Sequence, residues 1–358
     1  MGATRKDTRQ KLGWVEFGRG CAALIVFLTH GFFVDFPKEL SFVFLWGRWG
    51  VDFFFVLSGF IIAHVHWQDI GRPDRMSHFC WRRFIRIFPT YWLALALLLI
   101  VRNGLGSAEY RIALSTGDVL GNILMWPSIP DLMLSMAWTL RHELLFYALF
   151  SLLILNVRVG TIAFACWLAL LLWTLVTQTP CETLTVAAER CMAANAALPP
   201  DNPIWRIITL NVNLYFFIGI GLARCLKSGT IGRVVIATLV GAVGAFGVDQ
   251  LTGSPYALAA FQAFAICFFV SLAIFLSNRV SAPAFAYWFG TISYPLYLVH
   301  MTMMLVAHGL IKRLPLAVPW QVTTAFALVL SLLASHLIAF HFESRIRKIS
   351  SKLLKWRT

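Results

Sequence analysis

The sequence predicts an all-α, polytopic membrane protein with about ten transmembrane helices and both termini in the cytoplasm. Three observations lead there. The 358 residues are 59% hydrophobic and 13% charged, with a mean hydropathy of +0.74, more apolar sequence than a soluble core requires. Apolar runs of about 20 residues, long enough to span a hydrocarbon core, recur along the whole chain. The basic residues sit in short segments beside those runs and favour alternate sides. The formal charge of +14 therefore reads as a topology signal, and no nucleic-acid partner is expected.

The runs place spanning helices at 14–34, 49–67, 87–102, 137–156, 160–177, 206–224, 232–249, 256–277, 285–309 and 318–341. The first is too long for a cleavable signal peptide, and no small-residue cleavage site follows it. The third is short and borrows residues 85–89, with Pro89 marking the passage from a basic interfacial segment into the membrane. With the N-terminus inside, the inner segments hold about two-thirds of the Lys and Arg residues, among them Arg5, Arg72, Arg82, Arg158, Arg224, Arg279 and Arg347. That asymmetry and the even helix number agree. The expected organisation is a basic cytoplasmic N-terminus (1–13), one membrane domain (14–341) and a basic cytoplasmic tail (342–358), with no internal repeat visible.

Cys181 and Cys191 share the outer segment before the sixth helix, where an oxidising compartment would permit a disulfide; two unpaired thiols are the alternative. Cys21, Cys166 and Cys267 fall within helices and read as soft packing residues. The stretch Leu198 to Pro203 (LPPDNP) is a turn signal before the sixth helix.

Chemistry-bearing residues interrupt several of the helices. The first carries Glu16, Arg19 and His30; Arg19 and His30 are eleven residues apart, so they share a face about 16 Å apart along the axis. Ionisable groups inside a membrane mark functional sites by default, although Arg19 could snorkel to the interface and His30 could be a satisfied core histidine. The second helix places Asp52 near its start, where it would complement the helix dipole. Its Ser58 and Gly59 suit close helix approach. Arg83 and Arg86 are spaced RxxR on one face, a fork for phosphate oxygens or an anchor to anionic lipid. In AWTLRHELLFY, Glu143 and Tyr147 share a face, and Arg141 or His142 could pair with the carboxylate or merely stabilise the helix. In the ninth helix Ser293, Tyr297 and His300 form one polar stripe, with interfacial belt positions as the alternative, and Pro295 should loosen it. Arg19 and the arginine pair lie towards the cytoplasm; His30, Glu143 and His300 lie deeper or further out.

Five stretches, FGRGCAALIVFLTH, GVDFFFVLSGFII, RRFIRIFPTYW, AWTLRHELLFY and ISYPLYLVH, occur in this order between Phe17 and His300. In them the chain resembles acyltransferase family 3, polytopic membrane O-acyltransferases that often decorate bacterial surface polysaccharides. The resemblance implies ten core helices and an acyl-CoA donor, usually acetyl-CoA. It implies that Arg19 and His30 match the family's first-helix Arg and His, the latter assigned to catalysis. Arg83 and Arg86 match its RxxR motif, Glu143 the acid of its W-x-x-x-x-E-x-x-F-Y pattern, and Tyr294 and His300 its SYxxYLxH signature. Cys21 departs from the apolar residue usual after the RG pair. The soluble hydrolase-like domain that follows in some relatives is not expected.

The expected function is transfer of an acetyl or other short acyl group from cytoplasmic acyl-CoA to a hydroxyl of a polysaccharide or lipid-linked sugar, in a bacterial inner membrane and without a metal. His30 is the expected general base towards the acceptor, with a covalent acyl-histidine relay as a variant. Glu143 or His300 would orient or charge-balance it. Arg19, Arg83 and Arg86 would position the donor, and Asp52, Tyr147, Tyr294 and Tyr297 would support the site. An exporter without chemistry and an acyltransferase acting on a small natural product are the competing expectations.

Overall fold

The computed structural model describes residues 12–31, 42–105, 115–129, 131–177, 202–253, 255–315 and 317–355, and every regular element among them is helical. The elements are α1 (Gly13–His30), α2 (Phe42–His66), α3 (Met76–Ile100), the short α4 (Thr116–Ile123), α5 (Trp138–Leu155), α6 (Val157–Thr177), α7 (Pro203–Thr209) and α8 (Leu214–Lys227). After them come α9 (Ile231–Thr252), α10 (Pro255–Ser277), α11 (Ala284–Ile311), α12 (Trp320–Leu337) and α13 (Ser344–Lys355). Among the described residues nine helices are long and apolar enough to cross a membrane. The chain is a polytopic membrane protein.

The first helix is not one of those nine, because Glu16, Arg19 and His30 dilute its 18 residues. It is nonetheless packed along its length against α2, α10 and α11, and with it the expected set of ten positions is filled. Small residues make the central packing possible. A Cβ at Gly20 would run into the Phe289 ring of α11, and one at Gly59 of α2 would strike the Phe216 carbonyl of α8. The close approach expected around Ser58 and Gly59 is therefore real, and it fixes α2 against α8.

Four features differ from the sequence expectation. α2 begins at Phe42 rather than at residue 49, and it takes in Gly47, which lies against Thr29 of α1, and Arg48. Asp52 is thus more than two turns inside the helix and cannot cap it. α3 runs unbroken from Met76 to Ile100 with Pro89 inside, so Pro89 does not mark its start, and Arg83 and Arg86 belong to the spanning helix. A proline removes one helical hydrogen bond, which packing neighbours offset in a membrane bundle.

The sixth span is broken into α7, an extended Leu210 (ψ 126), a single turn Asn211–Asn213, and α8. Asparagine side chains compete with helical backbone, and here the freed carbonyls are recaptured. Trp167 donates to the Ile208 carbonyl at 2.8 Å, and Asn213 donates to that of Ile207 at 2.9 Å. Finally, the last helix continues past residue 341 through a π-helical segment (Ile338–Glu343) into α13.

Cys181 and Cys191 lie outside the described residues, as does most of the Leu198–Pro203 turn. Its Asn202 caps α7, accepting from the Ile204 N–H at 2.9 Å. Cys267 is buried, Cys21 half-buried and Cys166 exposed.

Candidate active site

Arginine first. Arg19 sits on the α1 face turned to α11 and donates to Glu16 Oε2 at 2.8 Å; its side chain is 16% exposed. It is therefore paired inside the bundle and does not snorkel. Arg83 Nη2 donates to His66 Nε2 at 3.0 Å, and His66 Nδ1 in turn donates to Asp69 Oδ2 at 2.7 Å. Because a guanidinium only donates, this chain requires His66 to be neutral with its proton on Nδ1. Arg83 also lies over the Phe79 and Tyr147 rings, and Arg86 over the Tyr294 ring, at 5.6, 5.5 and 5.1 Å from the centroids. Aromatic faces on this scale hold guanidinium planes in place while leaving N–H groups for an anion.

The carboxylate of Glu143 projects from α5 towards the same space. Ser58 of α2 donates to its Oε1 at 3.0 Å, and the Tyr147 hydroxyl, one turn along α5, donates to the same oxygen. Arg141 and His142 are engaged elsewhere. Arg141 holds the carbonyls of Ile129 and Trp126 at 2.7 and 3.0 Å, and His142 bonds Asn213 Oδ1 at 2.9 Å. The Arg-His-Glu run therefore splits: two members lock α5 to its surroundings, and Glu143 alone faces the cavity.

These groups line one cavity of about 220 Å³ between α1, α2, α3, α5 and α11. It brings together Arg19, Arg83, Arg86, Glu143, Tyr147, Tyr294 and Tyr297, seven of the residues singled out from sequence. Three guanidiniums stand against the carboxylates of Glu16 and Glu143, a lining suited to an anion. The Tyr294 hydroxyl donates to the Ile87 carbonyl at 3.0 Å, two residues before Pro89. Tyr297 forms the wall, its hydroxyl within 2.8 Å of Thr139 Oγ1 and 2.9 Å of the Met136 carbonyl.

His30 and His300 do not line this cavity. They form a pair of their own, with His300 Nε2 at 3.3 Å from His30 Nδ1. His300 Nδ1 donates to the Tyr297 carbonyl at 2.8 Å, and His30 Nδ1 donates to that of Val26 at 2.8 Å. Backbone carbonyls accept only, so both neutral rings carry the proton on Nδ1. His30 Nδ1–H is then shared with His300 Nε2, and His30 Nε2 keeps its lone pair. His300 is fully buried and Tyr297 only 6% exposed, so neither is an interfacial belt residue; both lie in the bundle core. The ring of Tyr297 stands between the two groups, 6.3 Å from His300 centroid to centroid.

Asp52 belongs to neither. It is 1% exposed and accepts from Gln262 Nε2 of α10 at 2.7 Å, with Arg48 and Tyr215 as its other electrostatic neighbours. Its place is a structural tie between α2 and α10.

Three groups were not taken as site residues from the sequence: Glu16 and Ser58, which line the cavity, and Glu343, which lies near its arginines. Ser58 gives no signal apart from its small size. Glu343 does: it is the sole acidic residue after Asp249. It accepts from Thr90 at 2.9 Å and is an electrostatic neighbour of Arg86 and Arg19. Among the described residues no group of three or more His, Cys, Asp or Glu side chains is placed to hold a metal.

Comparison with known proteins adds a family. A family model described as an acyltransferase domain matches residues 12–340. The exopolysaccharide production protein ExoZ of Rhizobium meliloti is 33% identical over 120 residues, which cover 29% of this chain and 33% of that protein. The chain thus aligns with about a third of that relative's length. No solved structure is a significant match.

Proposed function

Since the chain belongs to acyltransferase family 3 and is a membrane acyltransferase, we propose that it transfers a short acyl group, acetyl in the simplest case, from acyl-CoA to a hydroxyl of a polysaccharide or lipid-linked sugar in a bacterial inner membrane. The observation that carries this reading is the gathering of Arg19, Arg83, Arg86 and Glu143 in one cavity, with the His30–His300 pair one residue beyond its wall. The similarity to ExoZ, named for exopolysaccharide production, supports a polysaccharide acceptor. Family membership favours chemistry over bare export.

In this reading Arg83 and Arg86 take the donor's phosphates by charge-assisted hydrogen bonds, Arg86 steadied by Tyr294. Arg19 draws the pantetheine arm inward. The acceptor hydroxyl approaches from the His30 end. His30 Nε2 removes its proton as the oxygen attacks the thioester carbonyl, the new ester bond forms, and the CoA thiolate leaves and takes up a proton. His300 positions His30 by accepting the shared Nδ1–H. Glu143, held by Ser58 and Tyr147, supplies negative charge beside the arginines rather than touching His30.

The test is mass spectrometry of surface polysaccharide from cells with and without the protein. A loss of one acyl mass per modified unit in its absence supports the reading. An unchanged polymer, with transport of it lost, sinks the reading.

A further inference from the structure

Two further cavities adjoin along one side of α3, and their chemistry is opposite. The first, about 440 Å³, lies between α3 and α13; Arg82, Arg83, Arg86 and Arg347 line it, against the carboxylate of Glu343, which Arg347 bridges at 3.5 Å. The second, about 490 Å³, is an apolar trough whose walls include Trp81, Phe84, Trp92 and Ile349. The two share Ile85, Pro89, Phe342, Ile346 and Ser350, so they lie side by side along the seam between α3 and α13 and form the two flanks of one groove.

The trough has a regular construction. Trp81, Phe84, Phe88 and Trp92 recur every three or four residues, on one face of α3. Successive rings stack or tilt at 5.9, 4.8 and 5.6 Å between centroids. Trp81 is tied to Ser350 of α13 at 3.0 Å, and Trp92 to the Ile123 carbonyl at 2.9 Å. From Trp81 to Trp92 the helix rises about 16 Å, roughly one leaflet of a hydrocarbon core about 30 Å thick. The arginines flank the Trp81 end of the trough, where α3 lies against the middle of the basic α13.

We propose that this groove is a binding site for an anionic glycerophospholipid, its phosphate held by Arg82 and Arg347 and one acyl chain laid along the Trp81–Trp92 ladder. Charge complementarity selects the head: four guanidiniums facing one carboxylate leave an excess of positive charge that phosphate oxygens match. The length and apolar lining of the trough select a chain one leaflet long. Arg83 and Arg86 line both this groove and the candidate active site, so the lipid sits at its threshold. The site stands apart from the acyl-transfer reading, and its test needs no acyl donor.

The experiment uses the full chain purified in detergent and exposed to mixed micelles containing phosphatidylglycerol, phosphatidylcholine or an isoprenoid phosphate, with bound lipid counted by native mass spectrometry. Phosphatidylglycerol is expected to be retained at least about tenfold over phosphatidylcholine. Raising salt to about 0.5 M should weaken that preference, since arginine–phosphate attraction is screened. Arg82→Gln with Arg347→Gln should abolish the preference, and Trp92→Ala should lower total retention. Both arginines are exposed, but Arg347 bridges the buried Glu343 at 3.5 Å, so the double variant should melt somewhat lower than the unaltered chain. If it fails to fold, Arg82→Gln alone should weaken the preference, and the salt series on the unaltered chain still decides. Equal retention of the two phospholipids overturns the proposal. So does retention of the isoprenoid phosphate alone, or full retention by Trp92→Ala, which would leave a bare phosphate as the thing recognised.

Discussion

His30 and His300 meet at 3.3 Å, nitrogen to nitrogen, across α1 and α11, with ring centroids 5.1 Å apart. Two hundred and seventy residues separate them in sequence, and neither lines the arginine cavity. Both Nδ1 protons are committed to carbonyls one helical turn back. The lone pair left for chemistry is on His30 Nε2.

His30→Ala is therefore expected to abolish acyl transfer while membrane abundance stays normal. His300→Ala, which removes the acceptor of the shared proton, should slow transfer by about 10- to 100-fold, at or below the foot of the roughly 100- to 10,000-fold range for acid–base catalysis, because His300 acts through His30. His300→Gln keeps a hydrogen-bonding group there and should recover part of the loss. Acyl content of the product per unit of membrane protein checks all three, and near-normal product from His30→Ala removes it from the chemistry.

Glu143→Gln keeps the shape of the side chain and can still accept from Ser58 and Tyr147. A drop in kcat of about 100-fold or more would show that the negative charge matters. Tyr147→Phe deletes one hydrogen bond to the Glu143 carboxylate and should cost about 1.5 kcal/mol, or roughly tenfold. The reverse ranking would make Glu143 a packing group.

Arg83→Gln and Arg86→Gln each remove one charge-assisted donor set from the cavity. Loss of such a contact is worth about 1.5–3 kcal/mol, so the donor KM should rise about 10- to 100-fold, with a smaller effect on the KM for the acceptor. Arg83→Lys should rescue poorly, because an ammonium cannot reproduce the planar contacts with Phe79 and Tyr147. Initial-rate kinetics in proteoliposomes read both constants.

Asp52→Ala should act on stability and leave the chemistry alone. It strands Gln262, whose Nε2 donates to the carboxylate at 2.7 Å in a buried position. An unsatisfied buried group costs about 1–3 kcal/mol, read as a lower melting temperature in detergent. Activity per folded molecule should be retained; a selective loss of kcat would place Asp52 in the site after all.

Helical class, the approximate number and order of the spans, and the candidate residues Arg19, Arg83, Arg86 and Glu143 were all legible in the linear sequence. Composition and period report how each segment meets lipid, and a charge inside an apolar run stands out wherever it points. The register within a helix is equally local, which is why the Glu143–Tyr147 contact could be read from four-residue spacing. What lies between helices is not local. Asp52 reads as a cap when its helix is begun at residue 49; in the structure α2 starts at Phe42 and runs on through Gly47, which lies against Thr29 of α1. Pro89 looked like a boundary because an isolated helix would break there, while a packed one does not.

The same reason divides the site. Sequence named His30 and Glu143 as catalytic candidates and His300 and Asp52 as supporting ones, without saying which of them meet. Tertiary structure paired the histidines with each other, gave Glu143 to Ser58 and the arginine cavity, and gave Asp52 to Gln262. Those partners come from different helices, and the rotation of one helix about its axis against another is decided by close packing at residues such as Gly20, Gly59 and Gly219. The polar residues themselves carry no record of it.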